Sequence, residues 1–206
     1  MVIERASDPH PRVRWFAVNS LGQLSTDFCP EIQESFHDVA VPVYIKLLSD
    51  PSRRVRIHAT SSLINFAEEA PRDTIEPYID ALTSAVFPLL DAPMKLGKEQ
   101  AVTALAALAK SCGAGFVKMY DKLMPYLVTI MMNAMDPDMQ TLRGKSIECM
   151  SLIAVAVGRE KFSPDSEQII RHLLEISQQL AAAPPVRKQT THLYSLFFIP
   201  YSPMSR

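Results

Sequence analysis

The sequence has little glycine, little cysteine and almost no net charge. Six of its 206 residues are glycine and 16 are proline, which suits helices ended by proline-containing turns better than a sheet of tight hairpins. The formal net charge is −1, so the chain lacks the global basic field that drives non-specific nucleic-acid binding, and we expect no direct nucleic-acid partner. The three cysteines, Cys29, Cys112 and Cys149, form neither a CxxC pair nor an even set, which favours a reducing compartment.

Long apolar runs are also missing. The run Leu152–Val157 stops at Gly158, well short of the roughly 18 apolar residues that a membrane helix needs. The N-terminus lacks the apolar core of a signal peptide. Because 48% of the residues are hydrophobic, the chain can still bury a sizeable core. We therefore expect a soluble protein without a membrane partner.

What the sequence does contain is an internal repeat. The 14 residues that begin at Asp8 share eight identities with the 14 residues that begin at Asp50, an offset of 42 residues. The same offset relates a second kind of segment, in which Tyr78 aligns with Tyr120. Two independent segment types that share one period are hard to obtain by chance, and they indicate a repeat architecture.

Each period is predicted to form two helices. Residues 30–49 carry apolar side chains at helical spacing, Asp50-Pro51 marks a turn, and the next segment places Val55, Ala59 and Leu63 on one face. Two helices in a period of about 40–47 residues are typical of HEAT or armadillo arrays, and the lack of a short third helix favours HEAT. The predicted fold class is all-α, an α-α superhelix built as a HEAT-repeat solenoid.

The repeat divides the predicted array, residues 1–183, into about four repeats with partial units at both ends. We expect a second helix of a partial repeat at 1–27, repeats at 30–70, 73–112 and 116–158, a first helix at 166–183, and an irregular tail at 184–206. Neither end reads as the polar capping repeat that closes a solenoid, so we expect a segment of a longer superhelix.

The turns between paired helices resemble the HEAT signature. The resemblance implies a ladder in which an acidic residue at one turn pairs with a basic residue on the neighbouring second helix. Asp8 and Asp50 would take the acidic places, and Arg14, Arg56, Lys98 and Arg143 the basic ones. The third turn departs from the signature because Ala92 stands where the aspartate should be, with Asp91 beside it.

Two stretches narrow the class of HEAT protein. One is Asp8–Arg14 together with Leu21–Phe28, and the other is Gly144–Phe162. In this order they resemble the middle section of nuclear transport receptors of the importin-beta (karyopherin-beta) family. The likeness covers residues 6–180, and the sequence after Ala183 departs from it.

The resemblance implies an import receptor rather than an enzyme, present in cytoplasm and nucleus. Such receptors bind cargo proteins with basic import signals on the concave face formed by second helices. In the full-length receptor, Ran-GTP releases the cargo, and Phe-Gly nucleoporins bind between first helices. A generic HEAT scaffold of the phosphatase-subunit or condensin type is the alternative, because a solenoid fold alone does not give function.

Candidate partner-binding residues lie on the second helices. Trp15 and Asn19, four apart, form a platform for an extended basic peptide, unless Trp15 packs against a preceding repeat. A polar stripe on the following second helix is either a recognition surface or a solvated face, and two glutamates further on are either acidic cargo contacts or ordinary surface charge. The stripe is Arg54, His58, Ser61 and Asn65, and the glutamates are Glu99 and Glu148.

Motifs for catalysis, metals or cofactors are not found in the sequence. Arg143-Gly-Lys-Ser146 lacks the first glycine of a P-loop, and the five histidines are dispersed without metal-ligand spacing. We predict no catalytic residues, no metal ligands and no cofactor.

Overall fold

A computed structural model describes residues 1–134 and 136–182, with side chains to residue 179. This part of the chain is helical throughout, with no strand. Its α-helices, in chain order, are α1 (Val2–Arg5), α2 (Pro11–Asp27), α3 (Glu31–Ser35), α4 (His37–Leu48), α5 (Arg53–Glu69), α6 (Arg72–Ile75), α7 (Ile79–Val86), α8 (Lys95–Cys112), α9 (Val117–Asn133) and α10 (Gln140–Ala182). Short 3-10 turns occupy Glu76–Tyr78, Phe87–Asp91, Gly113–Phe116 and Pro137–Met139.

The last helix, α10, is two helices joined at a kink. Gly158 lies at φ 79° and ψ 171°, a conformation that an L side chain rarely adopts. Residues 140–157 form the second helix of one pair and residues 159–182 the first helix of the next. This first helix begins seven residues before the expected start at residue 166. The expected irregular tail, 184–206, lies outside the described residues.

Acidic side chains organise the turns that precede three helical segments. Asp8 accepts a hydrogen bond from the backbone N–H of His10 at 2.9 Å, and Asp50 accepts one from Ser52 at 2.7 Å. The Asp136 carboxylate does the same for the N–H two residues later, at 3.1 Å. Each carboxylate satisfies a donor that the helix itself leaves without a partner. The Asp-Pro pattern of the sequence is therefore a local turn device.

The second helices stack side by side in chain order, α2 on α5, α5 on α8 and α8 on the first half of α10. The first helices cover one side, with α4 against α5 and α9 against α10. Within the described chain, helices pack extensively only on helices of the same or the neighbouring repeat. The first second helix, α2, and the fourth, the first half of α10, do not pack on each other in this way. The chain is thus an all-α superhelix, as the sequence predicts, rather than a closed globule.

Close approach of backbones holds α2 against α5. The Ser62 hydroxyl donates to the carbonyl of Val18 at 2.8 Å. An added Cβ on Gly22 would lie 2.5 Å from Ser62 Oγ, so only glycine fits there without a shift. The hydroxyl of Ser111 on α8 donates in the same way to the carbonyl of Ala67 on α5. A serine on each of α5 and α8 therefore holds that helix close to the second helix before it.

The core runs continuously along the interior of the stack. Each repeat contributes apolar side chains from both of its helices, so every repeat shields the next from water. The largest fully buried side chains include Tyr44, Leu47, Leu63, Phe66, Leu82, Leu105, Leu108, Phe116 and Leu123.

One stretch, Lys95–Asn133, passes a length and hydropathy test for a membrane span. It consists of two helices, because Gly113 at φ 55° ends α8 before α9 begins. In addition, 56% of its most apolar window is buried inside the array. Buried core helices pass the same test, and the burial accounts for the apolar composition.

Candidate functional site

The exposed sides of α2, α5, α8 and the first half of α10 form a surface that we call the second-helix face. At its N-terminal end, an arginine and a histidine of α5 enclose a tryptophan of α2. The guanidinium of Arg54 lies 4.0 Å from the centre of the Trp15 ring, and the His58 ring meets Trp15 edge-on at 5.1 Å. The structure therefore joins three of the predicted site residues in one cluster, with Trp15 half-buried.

The electrostatics of this cluster follow from its packing. Burial, with a smaller contribution from the charge of Arg54, lowers the pKa of His58 below its ordinary value of 6.5. The indole Nε1 of Trp15 is buried and has no hydrogen-bond partner within the described chain. The cluster therefore pairs a cation with an aromatic face and leaves one buried donor unused.

Two other members of the predicted stripe already have partners in the array. Ser61 Oγ donates to Gln100 Oε1 on α8 at 3.1 Å, and Asn65 Nδ2 donates to the carbonyl of Gly22 on α2 at 3.4 Å. Both residues connect neighbouring second helices. Asn19, by contrast, is exposed on α2.

The two predicted glutamates differ in their surroundings. Glu99 is half-buried, 3.8 Å from the Lys95 ammonium, and its Oε1 accepts no hydrogen bond from the described residues. Glu148 is exposed and lines a cavity of about 160 Å³ between α5, α8 and α10. Glu68 lines the same cavity, so two carboxylates from different repeats face one space.

The sequence reasoning missed Glu68 and also Lys145, which lines this cavity and donates to Thr103 Oγ1 at 2.7 Å. Glu68 lies three residues after Asn65, so extending the predicted stripe by one turn would have found it. Lys145 lies on another repeat, and its contact with Thr103 depends on how α10 stacks on α8.

One rung of the predicted ladder is formed in full. Arg14 Nε and Nη2 bind the two oxygens of Asp50 at 2.6 and 2.9 Å across neighbouring repeats. Burial alone raises the pKa of Asp50. The hydrogen bonds from Arg14 and Ser52 and the charges of Arg14 and Arg56 lower it by more, so the pKa of Asp50 lies below its ordinary value of 3.8. Asp8 supplies its carbonyl to Arg14 at 2.9 Å and lies 3.5 Å from Arg5.

The other predicted ladder residues make different contacts. Arg56 Nη1 donates to the carbonyl of Asp50 at 2.7 Å, and the buried Arg143 donates to the carbonyl of Ala134 at 3.2 Å. Lys98 forms no ion pair within the part of the chain that the structure describes. Lys95 instead crosses to the fourth turn, where it donates to the carbonyl of Asp138.

A second surface lies between α9 and the last helix. A cavity of about 370 Å³ opens there, with Met124, Val128 and Ile169 among its walls. Its polar edge includes Tyr120, whose hydroxyl donates to Asp165 at 2.6 Å. This groove between first helices is therefore mixed: Met124, Val128 and Ile169 offer contacts for an apolar side chain, while Asp121, Asp165 and Gln168 make the rest of the lining polar.

Possible metal ligands and cysteines lie apart from the second-helix cluster. Among residues 1–134 and 136–182, no three His, Cys, Asp or Glu side chains are placed to hold a metal ion. Burial raises the pKa of Cys149, and burial followed by the charge of Glu76 raises that of Cys112. Both thiols are therefore poorly ionised near neutral pH, whereas a reactive cysteine needs a lowered pKa.

Comparison with known proteins gives the family. The HEAT-repeat family model matches residues 1–28. The chain is 42% identical over 177 residues to importin subunit beta-3 of Saccharomyces cerevisiae, covering 85% of this chain and 16% of that protein.

Solved structures of the karyopherin Kap121p are similar. The complex with Nup53p matches 87% of this chain with a TM-score of 0.80 and 41% sequence identity. The complex with the SUMO protease Ulp1p also matches 87% of this chain, with a TM-score of 0.80 and 40% sequence identity. In both, the match covers 17% of the karyopherin chain. The chain thus spans about one sixth of the length of its relatives, and it belongs to the importin-beta family.

Proposed function

We propose that this chain is a section of a nuclear import receptor whose second-helix face binds cargo proteins with basic import signals. The observation that carries the proposal is its similarity, at 40–41% identity, to Kap121p structures that hold protein partners such as Pho4p and Nup53p. A stack of exposed second helices offers an extended surface for an extended peptide.

The chemistry of the face supports this choice of partner. Glu68 and Glu148 line one cavity together with Lys110 and Lys145, and we assign the two carboxylates the role of binding a Lys or Arg side chain of the cargo. The neighbouring cavity-lining Lys145 already donates to Thr103, which directs its ammonium toward α8. At the other end of the face, the half-buried Trp15 ring already contacts the Arg54 guanidinium, and we assign its remaining surface to the aliphatic stem of a cargo lysine.

The proposal extends to the full-length protein, which is larger than this chain. There, Ran-GTP displaces the cargo, and Phe-Gly nucleoporins insert phenylalanine side chains into grooves between first helices. In the cavity beside Val128 and Ile169, these two residues and Met124 supply the apolar contacts for such a side chain, next to a polar part at Asp121, Asp165 and Gln168. The receptor works in cytoplasm and nucleus and carries no catalytic site.

Binding of a fluorescent lysine-rich import-signal peptide, followed by anisotropy, tests the cargo proposal. We expect the double substitution Glu68→Lys and Glu148→Lys to weaken binding by about tenfold or more, because each lost charge pair contributes on the order of 1 kcal/mol. The double substitution Glu160→Lys and Glu167→Lys is the matched control, since it makes the same change of net charge at two exposed residues of the last helix, away from the second-helix face.

Equal weakening by the control, or equal binding of a neutral peptide of the same length, would contradict the proposal and favour a generic scaffold. For the groove, a Phe-Gly peptide should shift the NMR methyl signals of Val128, and a Ser-Gly peptide should not. Pull-down of the full-length receptor with Ran-GTP tests the release step.

A further inference from the structure

The ladder of carboxylates lacks one rung, and its cationic partner is still in place. Arg14 binds the carboxylate of Asp50 through Nε and Nη2. One repeat later, the residue equivalent to Asp50 is Ala92. Within the described chain, Arg56 forms no ion pair, and its Nε and Nη2 have no hydrogen-bond acceptor.

Arg56 is held in the same position as its neighbour. Its Nη1 donates to the carbonyls of Asp50 and Pro51, at 2.7 and 3.2 Å. Arg14 Nη1 donates to the equivalent carbonyls of Asp8 and Pro9, both at 2.9 Å. The two guanidinium groups are therefore anchored alike, and the fork that binds a carboxylate in one repeat is left open in the next.

The adjacent Asp91 does not replace the missing group. Its carboxylate accepts a hydrogen bond from the hydroxyl of Tyr126 on α9, which directs it to the next repeat. The backbone N–H of Met94 also lacks an acceptor in the described structure, although the equivalent N–H of Ser52 binds Asp50. Two kinds of donor thus face a position without an acceptor.

A cavity occupies this position. It has a volume of about 70 Å³, and both Arg56 and Ala92 line it. Arg53 supplies a second cation to the lining. Leu89, Pro93 and Ile57 make part of the remaining wall apolar, and Thr60 and Gln100 make part of it polar. A carboxylate on a short apolar stem matches these walls: two forked N–H donors for the oxygens and apolar contacts for the methylene carbons.

The backbone shows that an aspartate would fit at residue 92. Ala92 has φ −54° and ψ 138°, and Asp136, at the following turn, has φ −59° and ψ 138°. An aspartate in place of Ala92 therefore needs no change of backbone. The open fork results from the side chain missing at one residue and not from a distorted turn.

We propose that this open rung is a binding site for the side-chain carboxylate of an acidic residue in a partner protein. The site lies at the turn between α7 and α8, and Arg53 is exposed there, so a segment running past the turns can reach it. The neighbouring rung binds a carboxylate with the same atoms, which identifies the ligand chemistry. The inference does not depend on the import-receptor proposal, because it rests on the carboxylate-binding geometry that Arg56 shares with Arg14 and not on the choice of cargo.

An NMR titration of the ¹⁵N-labelled chain tests the site. The probes are N-acetyl-aspartate-N′-methylamide, its asparagine analogue and sodium acetate. We expect the aspartyl probe to shift the amide signals of Met94 and Gly97 saturably in the millimolar range, as a ligand of this size allows. The asparagine analogue should leave the signals unchanged. Acetate, which has the aspartyl side-chain carbons but lacks the peptide groups of the probe, should bind several-fold more weakly.

Two variants sharpen the test. Ala92→Asp supplies the carboxylate internally, so we expect it to abolish the shifts and to raise Tm. Arg56→Lys keeps the charge without the fork and should weaken the probe several-fold. Equal shifts with the asparagine analogue, or undiminished shifts in Ala92→Asp, would overturn the proposal. If Ala92→Asp fails to fold, an unchanged affinity of Arg56→Lys for the aspartyl probe overturns the proposal. Acetate binding as tightly as the aspartyl probe overturns the assignment of the ligand to a segment of a partner protein.

Discussion

Removal of the Asp50 carboxylate should weaken the packing of α2, in the first repeat, on α5 of the next. The Asp50 side chain is 4% exposed and that of Arg14 13%, and they meet at 2.6 Å. Asp50→Ala removes two charge-assisted hydrogen bonds to Arg14 and one to the N–H of Ser52, and it leaves a nearly buried guanidinium without its partner. Breaking such a pair costs about 3 kcal/mol.

The cost should fall on the interface that Asp50 bridges. Because each repeat contacts only its neighbours, a loss between α2 and α5 destabilises α2 more than α8. Amide hydrogen exchange followed by mass spectrometry measures the local stability of α2 and of α8 separately. We expect exchange in Pro11–Asp27 to accelerate about a hundredfold, the equivalent of about 3 kcal/mol, with little change in Lys95–Cys112.

Asp121→Ala is the matched control. Asp121 binds Lys161 at the same distance of 2.6 Å, but its side chain is 76% exposed. An exposed ion pair contributes about 0–1 kcal/mol. If Asp50→Ala accelerates exchange no more than the control does, burial does not decide the strength of the rung, and the reasoning fails. The difference should also disappear in acid: the contribution of Asp50 is complete above pH 3.8 and is lost as the pH falls through its lower folded pKa.

Three further predictions concern single positions. Gly22→Ala places a Cβ 2.5 Å from Ser62 Oγ and should lower the free energy of unfolding in urea by about 1–3 kcal/mol. The lowered pKa of His58 means that the unfolded chain protonates first, so stability falls as the pH drops through 6.5; His58→Gln should flatten this part of the Tm–pH curve. A thiol reagent without denaturant should modify the exposed Cys29, whereas the buried Cys149 should react only after unfolding.

The Gly22 prediction has a control in the same chain, and each of the three has a result that would refute it. A Cβ on Gly144 meets no atom within 4 Å, so Gly144→Ala should be neutral or slightly stabilising. Equal losses in the two glycine variants would show that close helix approach is not the cause. An unchanged pH slope in His58→Gln, or equal labelling rates for Cys29 and Cys149, would refute the corresponding argument.

Much of the fold could be predicted because the same local sequence pattern occurs in successive repeats. The shared pattern at Asp8 and Asp50 combines turn chemistry with helical periodicity, and both act over a few residues. The start of the last helix is harder to predict from the sequence. Helical residues follow Gly158 directly, so the glycine marks a change of helix direction and not a loop. The last helix accordingly begins earlier than its sequence pattern indicates.

The site was less predictable because its contacts join different repeats. Trp15 and Arg54 both carried a visible signal, but their stacking depends on how α5 lies on α2. Lys98 occupies the basic position of the ladder by alignment, yet Lys95, one turn earlier, reaches the next repeat. Such choices depend on the stagger between neighbouring helices, which no single helical segment specifies.

The most direct test of the account is to locate a bound basic signal on the array. A lysine-rich import-signal peptide with a nitroxide spin label, added to the ¹⁵N-labelled chain, broadens the amide signals nearest to it. We predict broadening at Thr103 and Ala106 beside the cavity that Glu68 and Glu148 line, with Val128 and Ile169 in the groove between first helices unaffected. Broadening at the groove instead, or uniformly along the chain, would contradict the claim that the second-helix face binds the cargo.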